Sequence, residues 1–216
     1  MGFLSFFYKY FVAAATAGFL AIASPFISIQ RDLPNTGNLV ENLAFVEDVT
    51  RISLQDFVES VKDGHTEAVK GLYAEKVFSL RVIQQPDDQP GFVSAAKGVA
   101  TQFGMAASNN ITGMLAHNYL AGAAFFDLNK TDTVNVIYGN GSIRQYQVTE
   151  IKKYQALTPK STSSEFVDLD TGEKISALRL FTRMYTGKHR LVLQTCIQVG
   201  DEDSWGRLFV IAQPAE

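Results

Sequence analysis

LVLQTCIQVGDEDSWGRLFVIAQ, Leu191 to Gln213, holds the only cysteine of the chain. Two apolar, β-branched runs, Arg190 to Ile197 and Trp205 to Ala212, flank the polar connection Gly200-Asp201-Glu202-Asp203-Ser204. Such a pattern reads as strand, loop, strand. Pairing that sets Ile197 opposite Gly206 also sets Cys196 opposite Arg207. Directly opposed residues on antiparallel neighbours share a face with Cβ atoms about 5 Å apart, so a thiol and a guanidinium occupy one site. A thiol reacts as its thiolate, which a nearby cation favours. The planar donor fork of Arg suits an oxygen that turns negative when a carbonyl is attacked. Acyl transfer there also needs a proton donor, and the chain offers His65, His117 and His189. Against this stands the ordinary behaviour of a free cysteine, which packs as a small buried hydrophobe.

Upstream of this hairpin the strand signals are closely spaced. Lys76 to Ile83 reads as the first strand, ended by the loop chemistry of Gln85-Pro86-Asp87-Asp88-Gln89-Pro90-Gly91. Ala95 to Asn110 is rich in small residues and has no assignable period. Thr112 to His117 is a short apolar strand that delivers His117 at its end, and Tyr119 to Leu128 allows a helical turn. Thr133 to Tyr138 and Ile143 to Ile151 flank Gly139-Asn140-Gly141, a strong hairpin signal, and a shorter strand follows near Tyr154 to Leu157. Lys160 to Gly187 interrupts the series with the turn Asp170-Thr171-Gly172 and a helical stripe of Leu178, Phe181, Met184 and Tyr185, read as core packing. This pattern predicts a mostly β, antiparallel domain with short helices, either barrel or sandwich. His65 in an acidic turn and His189 in Gly187-Lys188-His189-Arg190 read as solvated loop residues, but the residues alone do not choose among the three histidines.

The N-terminal part has a different character. Tyr10 to Gln30 contains no charged residue and is as long as the roughly 20 residues that cross a bilayer. Lys9 and the amino terminus place the positive charge ahead of it, which orients the N-terminus inward. Ala21-Ile22-Ala23 offers the alternative of a cleaved signal. Either reading puts the rest of the chain outside the cytoplasm. The expected organisation is an anchor or signal over residues 1–30, a linker and amphipathic helical segment over 31–71, and a β domain over 72–216. In the middle segment Ser53 with Asp56 marks a helix start and Gly64 a helix end.

Composition narrows the function classes. With 216 residues, 46% of them hydrophobic and 19% charged, the chain is long enough for one globular domain and a short appendage. A net charge of −3 leaves no basic stripe for nucleic acid. One cysteine excludes an internal disulfide and a Cys-rich zinc site. No acidic cluster marks a metal site, and no cofactor motif is present.

The motifs together resemble the sortases, membrane-anchored cysteine transpeptidases of bacterial cell surfaces. The family's Thr-Leu-x-Thr-Cys is matched by Val192-Leu193-Gln194-Thr195-Cys196, with Val in place of the first Thr. The family's histidine context is matched by Leu115-Ala116-His117-Asn118, followed by Phe125-Phe126-Asp127-Leu128, and its arginine by Arg207 in Trp205-Gly206-Arg207-Leu208-Phe209-Val210. Tyr146-Gln147-Val148 matches the strand between, and the resemblance runs from about Lys76 onward. It implies a closed sortase-type β-barrel preceded by a single transmembrane helix at the cell membrane, with the catalytic domain outside. It also implies catalytic roles for three residues: Cys196 as nucleophile and thioester carrier, His117 as general acid and then base, and Arg207 as holder of the substrate backbone or oxyanion. Thr195 is implied as a substrate contact. The implied partners are secreted proteins carrying a sorting signal and an amine acceptor on a cell-wall precursor or a pilin. A thiol hydrolase on the same scaffold and a catalytically silent binding domain are the alternatives. Leu33-Pro34-Asn35-Thr36-Gly37 has the Leu-Pro-x-Thr-Gly form of the family's substrates, which reads as turn chemistry in a linker or as a tethered pseudosubstrate.

Overall fold

The computed structural model describes residues 52–215. The expected anchor over 1–30, the Leu33 to Gly37 motif and the first part of the linker lie outside the described residues. Among those residues no helix is long and apolar enough to cross a membrane.

The domain opens with α1, Leu54–Val61, capped as the sequence suggests: the Ser53 hydroxyl accepts from the Asp56 N–H at 3.1 Å. Phe57, Val58 and Val61 form its buried stripe. That stripe lies directly on β1, Val69–Ala74, at Gly71, where a Cβ would stand 2.9 Å from the Phe57 ring. The barrel therefore starts ahead of Leu72, with a strand inside the segment read as helical. β2, Phe78–Gln84, covers the stretch expected to be the first strand. β3, Val99–Gln102, and the one-turn α2, Gly104–Ala107, fall in the unassigned small-residue region. β4, Thr112–Leu115, ends two residues before His117 and leads into a 3-10 helix, Ala121–Asp127.

β5, Thr133–Tyr138, forms where expected, and β6, Ile143–Ala156, is one long strand in place of the two anticipated. Its length is used on both edges: β5 pairs with its first part, Ile143 to Gln147, while the later part also serves two other strands. β7, Glu165–Asp168, and β8, Lys174–Ser176, form a small hairpin on the Asp170-Thr171-Gly172 turn. α3, Ala177–Tyr185, follows with Ser176 as its cap. Its buried stripe is Leu180, Phe181, Met184 and Tyr185, so it is rotated from the expected one: Leu180 packs inward and Leu178 faces solvent. β9, Leu191–Val199, and β10, Glu202–Pro214, complete the chain.

The strand order is β10-β9-β4-β3-β2-β1-β5-β6, closed by pairing of β6 with β10, and β7 and β8 extend the sheet from β6. Eight strands thus form a closed barrel, so the sheet proper has no free edge. Alternation along the strands separates two cores. Leu191, Leu193, Leu208 and Val210 point into the barrel, while Val192, Phe209 and Ile211 point outward beneath Phe166, Ile175 and α3. Of the candidate site residues, Cys196 and Arg207 lie on that outer, covered face.

Candidate functional site

Cys196 is directly opposite Arg207 in the β9–β10 ladder, with Ile197 opposite Gly206. The register anticipated from the sequence is the register found, although the loop is shorter than the polar connection suggested. Val199 faces Glu202 across Gly200-Asp201, with Gly200 at φ 58°, so most of the acidic stretch belongs to β10.

His117 reaches the same place from the other side. β4 runs parallel to β9 with Leu115 beside Gln194, and the Ala116 N–H donates to the Gln194 carbonyl at 3.2 Å. Two residues further along that register His117 is level with Cys196 and on the same face. The thiol therefore sits on the middle of three neighbouring strand lines, with imidazole on one side and guanidinium on the other. Gly122 fixes the return of the chain: a Cβ there would collide with the Thr195 hydroxyl. The Leu120 and Gly122 N–H groups both donate to the His117 carbonyl. The Val93 backbone lies against the imidazole and favours its protonated form, and the Tyr119 ring, 56% exposed, stacks on it at 5.1 Å.

Arg207 is 2% exposed. Its Nη1 donates to the Ser204 carbonyl at 2.9 Å and the Gly206 carbonyl at 2.8 Å, and the guanidinium lies 6.0 Å from the centre of the Phe166 ring. Among the described residues no carboxylate lies within 4.0 Å of it. A buried cation without a close counter-ion is costly, and in the ladder Arg207 stands directly opposite the thiol.

The electrostatics of the pair are balanced towards neutrality. Burial pushes the Cys196 thiol up, Arg207 pulls it down, and Asp203 and Glu202 add to the rise. Burial also lowers His117, against the Val93 backbone and the Asp203 charge. Both shifts favour the uncharged forms, thiol and neutral imidazole.

Thr195 does not join this face. Strand alternation turns its side chain into the barrel beneath the His117 loop, where the hydroxyl is buried without a hydrogen-bond partner among the described residues. His189, read as solvated, is half-buried at the far end of β9: Nδ1 bonds the Asn110 carbonyl at 2.8 Å and Nε2 the Tyr146 hydroxyl at 2.7 Å. His65 is exposed and bonds Asp63. Asp203, Tyr119, Val93 and Phe166 are site neighbours that sequence reasoning missed. Asp203 was hidden in an acidic stretch with the composition of a loop, and the others are set by long-range packing. Among the described residues no group of three or more His, Cys, Asp or Glu is placed to hold a metal ion.

No protein-family model and no curated protein matches the chain. Among solved structures it is similar to sortase A of Listeria monocytogenes, with TM-score 0.41 and 14% identity over 69% of this chain and 89% of that one. It is also similar to sortase A from Corynebacterium diphtheriae, with TM-score 0.45 and 12% identity over 83% and 70% of the two chains. A third is sortase C of Clostridium perfringens, described with the C-terminal cell wall sorting motif, with TM-score 0.42 and 13% identity over 82% and 99%.

Proposed function

We propose that the chain is a sortase-type cysteine transpeptidase. One observation carries the reading: a buried guanidinium with no carboxylate partner among the described residues shares a face and a ladder position with the chain's one thiol. The sulfur of Cys196 attacks a backbone carbonyl of a sorting signal, and His117 takes the thiol proton as the C–S bond forms. Arg207 stabilises the oxygen that turns negative. The C–N bond then breaks, His117 returns the proton to the departing amine, and a thioester remains on Cys196. An incoming amine gives a proton to His117, displaces the sulfur and restores the resting thiol.

Secreted proteins with a C-terminal sorting signal are the donors in this reading, and an amine of a cell-wall precursor or pilin is the acceptor. Residues 1–30 hold the enzyme in the cell membrane with the barrel outside. The sequence resemblance supports the signal class Leu-Pro-x-Thr-Gly. The test is a peptide library of that form incubated with the full chain and triglycine. Exchange of the C-terminal Gly for triglycine is expected, abolished in Cys196→Ala and reduced about 100-fold or more in Arg207→Ala. Cleavage to free acid with triglycine in excess would make the protein a hydrolase. Absence of turnover across the library would reject the reading.

A further inference from the structure

The β9–β10 ladder changes register between the Glu202–Val199 pair and the Gly206–Ile197 pair, so that Asp203, Ser204 and Trp205 stand against Gln198 alone. A bulge of this kind turns backbone carbonyls out of the ladder and re-aims neighbouring side chains. Both freed carbonyls are taken up by the site. The Asp203 carbonyl accepts from Asn118 Nδ2 at 3.2 Å, and the Ser204 carbonyl accepts from Arg207 Nη1 at 2.9 Å. On its outer side the bulge is braced by Glu202, which accepts from the Ser204 hydroxyl at 2.7 Å and pairs with Lys160 at 3.6 Å.

Asn118 is the residue after His117, and that segment needs an external hold. Its ladder contact with β9 reaches only to the Ala116 N–H, and the His117 carbonyl is turned back to the N–H groups of Leu120 and Gly122. We infer that Asn118 is a positioning residue that fastens the His117 segment to the β10 bulge and so fixes the imidazole against the thiol of Cys196. The same bulge holds Arg207, so one backbone kink sets the relative places of all three groups. For its catalytic consequence this role rests on the acyl-transfer reading. The charged groups that face the pair are Asp203 and Glu202 on the bulged segment and Arg207 on β10, with the Val93 backbone against the imidazole.

The test follows the pH dependence of Cys196 alkylation by iodoacetamide in the full chain, which needs no substrate. In the wild type the profile carries an inflection from His117 that is absent in His117→Ala. In Asn118→Ala the imidazole escapes its burial, and the inflection moves up toward the ordinary histidine value or disappears. Asn118→Asp is expected to do the same, because it keeps the shape and opposes an acceptor to the Asp203 carbonyl. Asn118→Gln, which keeps the amide donor, is expected to recover part of the wild-type profile. Where transpeptidation is measurable, Asn118→Ala lowers kcat about 100-fold with little change in KM, as expected for a misplacement of about 1 Å. A wild-type inflection retained in both Asn118→Ala and Asn118→Asp overturns the inference and leaves the acyl-transfer reading intact. A wild-type profile indistinguishable from that of His117→Ala overturns both, because the imidazole then does not address the thiol.

Discussion

Cys196 carries opposing influences within one side chain's reach. Burial and the carboxylates of Glu202 and Asp203 hold it protonated, while Arg207 favours the thiolate. Because the first of these is the largest, its alkylation rate is expected to keep rising above pH 8.5, about where a free cysteine is half ionised. Asp203→Asn removes one of the opposing charges and should shift the profile to lower pH, read by iodoacetamide kinetics; a shift to higher pH would contradict the charge assignment. His117 has the complementary sign. Its pKa is lowered in the folded state, so the unfolded chain binds a proton before the native one does. The stability it contributes is present above the ordinary histidine pKa and is lost as pH falls through the lowered value. His117→Gln should flatten that dependence in urea unfolding between pH 7 and 5, and an unchanged slope would exclude it. Thr195 is different again: its buried hydroxyl has no partner among the described residues, so Thr195→Val should be neutral or stabilising by about 1 kcal/mol.

At the scale of elements the site depends on how α3 is held. Arg190 precedes β9 and donates from Nη2 to the carbonyls of Arg183, Met184 and Thr186, at 2.8, 3.0 and 3.1 Å. It closes the open C-terminal end of the helix that covers the outer face, where carbonyls lack partners of their own. Arg190→Ala is expected to cost about 1–3 kcal/mol and to raise amide exchange in the last turn of α3; unaltered exchange there would show that the cap is idle. The same scale separates what was legible in the sequence from what was not. The β9–β10 pairing, Cys196 beside Arg207 included, was legible because it is local: alternation and turn chemistry fix a hairpin. β5 and the cap of α1 were legible for the same reason. β1 was not, because Val69 to Ala74 lies among helix-like spacings and becomes a strand only through pairing with β2 and β5. The place of His117 needed the β4–β9 parallel pairing, which joins segments far apart in sequence and leaves no local period. The resemblance singled out His117, and the structure sets it level with Cys196. His189 failed for a related cause, since its contacts come from the turn before β4 and from β6, both remote in sequence.

The described residues form a closed barrel with the candidate site at one end and a fastening at the other. His189 ties the start of β9 to the Asn110 carbonyl before β4 and to Tyr146 on β6, far from the thiol. Loss of that tie through His189→Ala should destabilise the fold by about 1–3 kcal/mol while Cys196 alkylation stays at its wild-type rate. A changed rate would show that the two ends are coupled. The central claim concerns the other end, and intact-protein mass spectrometry tests it most directly. The full chain is mixed with a Leu-Pro-x-Thr-Gly peptide for less than one turnover, quenched in acid and mapped. The expected result is an acyl group on Cys196 that is absent in Cys196→Ala and disappears when triglycine is added, with the ligated peptide formed in its place. An acyl group on any other residue, or ligated peptide formed by Cys196→Ala, would contradict it.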